Sequence, residues 1–263
     1  MSANVHHVSN GTDSSNGIAP KIILYTNHGC PWAHRAHITL RALRVPYEEV
    51  IIPLDRPREP WYLEINPRGL VPSMRISNGI LQDEIVTESA IVSTFLADMF
   101  PNSSFWPASR ESPTSALTRA RIAFFADTWV GKINTHTVPV MMAEGEEKEQ
   151  LGGKLVEAVK KEIEPMLEGA GPFFGGSESI TLAEALIAPF VIRCQTYGET
   201  GLIPKSVLKG FDALPNYSKW SKAVRAEDSV TYVFDGPAIA EKSAERIEER
   251  KAKAKYGYAG KPG

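Results

Sequence analysis

The chain of 263 residues holds only two cysteines, Cys30 and Cys194, far apart in sequence. That excludes a disulfide framework and a paired-cysteine metal motif, and it fits a reducing compartment, read here as the cytoplasm. Neither sign of charge dominates: 29 Lys and Arg against 31 Asp and Glu leave a net charge of -2. A nucleic-acid-binding domain normally carries a basic surplus, so no nucleic-acid partner is expected. No apolar run approaches a membrane span, so no membrane partner is expected either. Met1 to Asn16 is polar, without the basic start and apolar core of a secretory signal. The sequons at Asn10, Asn102 and Asn216 are therefore expected to stay unmodified. What is present is 43% hydrophobic residues, enough for a soluble globular chain of two modest domains.

The chemistry concentrates in Gly29-Cys30-Pro31-Trp32-Ala33-His34-Arg35, which follows the apolar run Ile22 to Tyr25 and opens a helical pattern. Pro31 suits the first helical position, where a missing N–H costs nothing, and this puts Cys30 at the cap. Thiols at helix N-termini ionise more readily than free ones, and His28, His34 and Arg35 would add positive charge if they face the sulfur. The competing reading of Cys30 is a small buried hydrophobe, which needs neither the proline nor the strand-to-helix position. Ala33 stands where a dithiol oxidoreductase has its second cysteine, so an external thiol would have to complete any exchange. A metal site on His28, Cys30 and His34 is the less simple use of the same residues.

In chain order, residues 1–19 read as a disordered arm, 20–104 as a first domain, 105–113 as a linker, 114–240 as a helical domain and 241–263 as a charged tail. Ile22 to Thr26 is a strand, and Ala33, Ala36, Leu40 and Leu43 recur at helical spacing behind it. Glu49 to Ile52 is a second strand, parallel to the first. Asn78-Gly79 predicts a hairpin that pairs Met74 to Ile76 with Ile80 to Gln82, which makes the sheet mixed. Glu88 and Ser89 open a helix through Ile91, Val92, Phe95, Leu96 and Met99, and on their own suit a helix start. Beyond the linker the periodicity is helical: Ile122, Phe125, Trp129 and Ile133 mark one helix, and Leu155, Val159, Ile163, Met166 and Leu167 another. Thr181-Leu182-Ala183-Glu184 fits a capping box before a buried helix on which Cys194 reads as inert packing.

Taken together, Tyr25, Cys-Pro-Trp-Ala-His-Arg at 30–35, Asn66-Pro67-Arg68-Gly69-Leu70-Val71-Pro72, Glu88-Ser89 and the Thr181 capping box resemble the cytosolic glutathione transferases. Within them the resemblance is to the cysteine-type, omega-like branch, closest to fungal members, and it spans about Lys21 to Val233. It implies a thioredoxin-like first domain with a mixed four-stranded sheet, an all-helical second domain, and a homodimer. It also implies glutathione as cosubstrate and no metal. Cys30 would be the catalytic thiol. Trp32, Arg58, Leu70, Val71, Pro72, Glu88 and Ser89 would bind glutathione: Val71, before a cis Pro72, through its backbone, Glu88 and Ser89 at the γ-glutamyl end, and Arg58 at the glycine carboxylate. Tyr25 keeps a second reading, because other branches use a strand tyrosine to hold the glutathione thiolate.

The activity implied first is thiol transfer, that is, removal of glutathione from mixed disulfides or dehydroascorbate-type reduction. The alternative is a transferase that conjugates an electrophile or isomerises a double bond in the biosynthesis of small or specialised metabolites. A weaker alternative is a non-enzymatic glutathione-binding regulator. The second substrate is a mixed disulfide in the first case and a small electrophile in the second.

Overall fold

The computed structural model describes residues 20–255; the arm expected over 1–19 and residues 256–263 of the charged tail lie outside the described residues. The chain forms β1 (Lys21–Thr26), α1 (Pro31–Ala42), β2 (Glu48–Ile51), α2 (Pro60–Ile65), β3 (Ser73–Ser77), β4 (Glu84–Thr87) and α3 (Ser89–Met99). The strands lie in the order β2-β1-β3-β4, with β1 parallel to β2 and antiparallel to β3, and β3 antiparallel to β4. This is the thioredoxin-like mixed sheet, and the described residues beyond it form helices and their connections, as expected.

The period-two alternation of β1 divides the core. Ile22 and Leu24 pack with Ala36 and Leu40 of α1, Met74 and Ile76 of β3, and Val92 and Leu96 of α3. Tyr25 instead clusters with Tyr62 of α2, Ile52, Val71, Cys30 and Ala33. A one-residue slip of β1 would exchange the two faces, so burial on both sides fixes its register. On α3 the buried line runs through Val92, Ser93, Leu96 and Ala97, while Ile91 is 58% exposed and lies off it.

The hairpin differs from the sequence expectation. Asn78 Oδ1 accepts the amides of Ile80 at 3.2 Å and Leu81 at 2.8 Å, and Ser77 Oγ accepts the Asp83 amide at 3.1 Å. Side-chain bonds of this kind compete with the ladder. Ile80 to Gln82 therefore stay outside the sheet, and pairing resumes with Glu84 opposite Ile76.

The chain divides into two compact units. The first takes the described residues through Ala116 together with Ile180–Pro189 and Asp228–Phe234. Within it Phe105 and Trp106 are buried, the Leu182 amide donates to the Phe105 carbonyl at 2.9 Å, and Trp106 Nε1 donates to Asp98 at 2.9 Å. The segment read as linker is thus partly built into this unit.

The remaining helices are α4 (Pro113–Thr128), α5 (Asn134–Met142), α6 (Gly145–Ala158), α7 (Leu182–Glu199), α8 (Lys205–Asp212), α9 (Pro215–Ala226), α10 (Asp228–Thr231) and α11 (Gly236–Lys255). One turn of π-helix, Trp129–Ile133, carries α4 into α5, and another, Val159–Ile163, extends α6. In the second unit Ile122, Phe125, Trp129, Ile133, Leu155, Val159, Ile163 and Leu167 are all buried, as their spacing predicts. Phe125 and Trp129 pack on Trp220 with ring centroids 5.6 and 6.4 Å away, so these aromatics are core. The charged stretch from Glu241 continues α11 and packs: Ile247 is buried, Ser243 lies 3.0 Å from the Tyr197 hydroxyl, and Lys251 pairs with Glu144 at 2.8 Å.

Candidate functional site

Cys30 caps α1 in an extended conformation, φ -86 and ψ 120, with Pro31 in the first turn. The His34 amide closes onto the Cys30 carbonyl at 3.1 Å and the Cys30 amide onto Asn27 at 3.0 Å, so the sulfur sits where the helix begins. There the partial positive charge of the helix is concentrated. Cys30 is buried, and its Sγ lies 4.0 Å from the Val71 carbonyl. Val71 and Pro72 are joined by a cis peptide bond.

The loop before Val71 is held from below. Asn66 Nδ2 donates to the Leu70 carbonyl at 2.9 Å and to Ser73 Oγ at 3.0 Å, and the Tyr62 hydroxyl also donates to the Leu70 carbonyl. Asn66 is buried, so these bonds form in a setting where leaving such groups unpaired costs about 1–3 kcal/mol. Gly69 adopts φ 64, and a Cβ there would stand 3.0 Å from the Arg58 side chain. Glycine answers both demands. The leucine side chain of Leu70 is 55% exposed and Trp32 38% exposed, so both offer apolar surface beside the loop and α1.

Glu88 follows β4 and caps α3 at φ 72 and ψ 121, a conformation that costs a non-glycine residue on the order of 1–3 kcal/mol. Its carboxylate pairs with Arg68, a residue to which the sequence reading gave no role. Ser89 begins α3, is buried, and accepts a hydrogen bond from Arg35 Nη1 at 3.2 Å. Arg35 Nε also donates to the Leu186 carbonyl at 2.7 Å, and the guanidinium lies 4.6 Å from the centre of the Trp32 ring. Burial lowers the Arg35 pKa to about 10.

The structure gathers Cys30 with Val71 and Pro72, and Ser89 with Arg35 and Trp32. It commits Arg58 to backbone carbonyls: Nε to Gly69 at 2.9 Å, Nη1 to Pro53 at 2.6 Å and to Arg56 at 2.7 Å. The three groups that would add charge if they faced the sulfur have other partners as well. His28 Nε2 lies 3.0 Å from Glu49, His34 Nε2 is 2.9 Å from the Val230 carbonyl, and Arg35 serves Ser89 and Leu186. His28, Cys30 and His34 therefore do not converge as a metal set. Among the described residues the group that converges is His28, His37 and Glu49. Tyr25 is buried among Trp61 and Tyr62, and burial raises its phenol pKa.

Comparison with known proteins bears on this arrangement. Residues 29–99 match the family described as glutathione S-transferase, N-terminal domain. A probable glutathione transferase omega-2 of Caenorhabditis elegans is 29% identical over 217 residues, covering 81% of this chain and 79% of that protein. Pyrimidodiazepine synthase of Drosophila melanogaster is 35% identical over 85 residues, 32% of this chain and 34% of that protein. Among solved structures, glutathione transferase Omega 2C from Trametes versicolor, a fungal protein, superposes with a TM-score of 0.72 at 24% identity over 87% of this chain and 99% of that one, a likeness of fold. The chain is thus similar in sequence to omega-class glutathione transferases, and its residues 29–99 match the glutathione S-transferase N-terminal domain family.

Proposed function

We propose that the protein is a glutathione-dependent thiol transferase in which Cys30 carries the reaction. The observation that supports this most directly is the Cys30 sulfur at the start of α1, 4.0 Å from the Val71 carbonyl. Val71 and its neighbours supply backbone groups with which an extended peptide pairs as an added strand. Glutathione is such a peptide. Its cysteine would pair with the Val71 backbone beside Pro72, and its γ-glutamyl end would meet Ser89 and Glu88. Trp32 and the exposed Leu70 would flank it, with the Arg58 guanidinium at its glycine carboxylate.

In the proposed cycle the Cys30 thiolate attacks the glutathione sulfur of a mixed disulfide. A Cys30–glutathione disulfide forms, the original S–S bond breaks, and the released thiolate takes a proton from water. A second glutathione thiolate then attacks the glutathione sulfur on Cys30, giving oxidised glutathione and restoring the Cys30 thiolate. Ala33 offers no second thiol in the motif, which is why the external glutathione is needed.

A second reading, conjugation or isomerisation in small-molecule biosynthesis, draws support from the likeness of 32% of this chain to pyrimidodiazepine synthase of Drosophila melanogaster. The test of the main reading is to incubate the protein with a glutathione mixed disulfide and follow its mass. A glutathione adduct on Cys30 that disappears on adding free glutathione supports thiol transfer. A protein that takes up no adduct while the disulfide stays intact rules it out.

A further inference from the structure

We infer that His28, His37 and Glu49 form a divalent transition-metal site of the imidazole–carboxylate class, suited to zinc, that ties the loop carrying Cys30 to β2 and α1. One ligand atom from each lies within 4.8 Å of the others, and His28 Nε2 and Glu49 Oε2 are already 3.0 Å apart. Two histidines and one carboxylate, with a position left for water, is a donor set that zinc accepts. Tetrahedral coordination at about 2.1 Å places ligand atoms roughly 3.4 Å apart, so the widest separation must draw in by up to about 1.4 Å. The His28 side chain, 41% exposed, has the freedom to move, and the 20% exposure of Glu49 leaves a path from solvent.

The surroundings of His37 suit a ligand. It is fully buried, with Thr26 Oγ1 2.7 Å from its Nε2 and the Tyr47 hydroxyl 2.8 Å from its Nδ1. When Nε2–H donates to Thr26, Nδ1 presents its lone pair, and a hydrogen bond on the opposite ring nitrogen is the usual way a ligating histidine is oriented. The hydroxyls of Tyr47 and Tyr232, 2.8 and 3.4 Å from Nδ1, can give it up without being stranded. The Tyr47 hydroxyl also lies 2.9 Å from the Tyr232 hydroxyl, which in turn is 3.1 Å from the His37 carbonyl as donor. An ion at this point would join three segments around Cys30: the loop two residues before it, the middle of α1 and the β2 strand.

The test uses the full chain with Cys30→Ser, His6→Ala and His7→Ala, which removes the thiol nearest the loop and the two imidazoles of the N-terminal segment. His34, His136 and Cys194 remain in this protein, so the site is assigned by the His28 and Glu49 variants below; after chelation and dialysis, Co2+ is titrated while visible d–d absorption is recorded, and Zn2+ is then added in competition. The expected result is one Co2+ per chain, displaced by Zn2+, with affinity reduced at least tenfold by a further His28→Ala or Glu49→Gln. Metal should also raise the melting temperature of the parent protein and not of those two variants. The inference is overturned if the parent binds no Co2+ or Zn2+, or if both variants bind as tightly as the parent. Both substitutions are at residues reached by solvent, and far-UV circular dichroism verifies that each variant is folded.

Discussion

Arg35 of α1 donates a hydrogen bond to Ser89 at the start of α3, 3.2 Å away. Because a guanidinium only donates, Ser89 Oγ must act as acceptor in this bond, which directs its own hydroxyl hydrogen to another partner. In the proposed complex that partner is the γ-glutamyl carboxylate of glutathione, at a helix N-terminus that favours an anion.

Arg35→Met should therefore act on both stability and binding. It leaves the buried Ser89 oxygen and Leu186 carbonyl without this donor, and hydrogen bonds from charged groups contribute about 1.5–3 kcal/mol. Urea unfolding is expected to show a loss of that order. Glutathione affinity, measured by calorimetry under conditions where the variant is folded, should also fall. Arg35→Lys should recover only part of either, since an ammonium cannot span both acceptors with the fixed fork of a guanidinium.

Glu88→Ala should weaken glutathione binding by about ten- to a hundredfold, the equivalent of the about 1.5–3 kcal/mol of a charge-assisted bond to the ligand ammonium. Arg68→Met is the control. Arg68 and Glu88 form a well-exposed pair, and such pairs contribute about 0–1 kcal/mol, so its removal should change fold stability little. Equal glutathione affinity in wild type and Glu88→Ala would take Glu88 out of the site.

Much of this arrangement is legible in the sequence, and the parts that are not share a cause. Pro31 after Cys30 announces the cap, and Thr181 with Glu184 announces a capping box that forms: the Thr181 amide donates to Glu184 at 2.9 Å and the Ala183 amide to Thr181 Oγ1 at 3.1 Å. These are local devices, set by residues within one helical turn. Destinations of long side chains are not local. Arg35 looked available to the sulfur and instead spans 54 residues to Ser89 and 151 to Leu186. Arg58, expected at the glycine carboxylate, also donates to carbonyls of its own loop, where Gly69 makes room for it, and nothing in composition announces those bonds. The return of Ile180–Pro189 and Asp228–Phe234 to the first unit likewise leaves no mark in composition. The antiparallel hairpin forms with a longer loop than expected for a local reason of another kind, since Asn78 can serve a two-residue turn or its own Asx turn, and only the second draws residues 80–83 off the ladder.

Thiol counting tests the difference between the two cysteines. Cys194 is buried, and burial pushes its thiol up to about 11, although a bond to Thr137 acts the other way. At pH 8 a thiol of that pKa is thiolate in about one molecule in a thousand, and only the thiolate reacts. A thiol reagent at pH 8 should label one site in the native protein, Cys30, and two after denaturation. Cys30→Ser should label none until it is unfolded. Rapid native labelling of Cys194 would show that its helix opens readily.

Assembly is a separate expectation, drawn from the family likeness and from the frequency of symmetric dimers among soluble proteins. Sedimentation velocity at micromolar concentration should give a homodimer. A monomer across that range would remove this expectation and leave the proposed chemistry of Cys30 untouched.

Cys30→Ser separates thiol transfer from its rival. In thiol transfer the residue at position 30 becomes covalently bonded to glutathione, and a serine hydroxyl is far less acidic and cannot form the disulfide. Activity on a glutathione mixed disulfide should fall to background. In conjugation or isomerisation the reacting sulfur belongs to glutathione, and the side chain at position 30 need only donate a hydrogen bond to that thiolate. Serine does so well, so turnover of a general electrophile should persist or rise in the variant. The two assays are run side by side on wild type and Cys30→Ser, with calorimetry to show that both still bind glutathione. Loss of disulfide reduction with retained binding assigns the covalent role to Cys30. A wild type that reduces no mixed disulfide, beside a serine variant that conjugates at full rate, would transfer the proposal to the conjugating or isomerising chemistry, with Cys30 reduced to a hydrogen-bond donor at the start of α1.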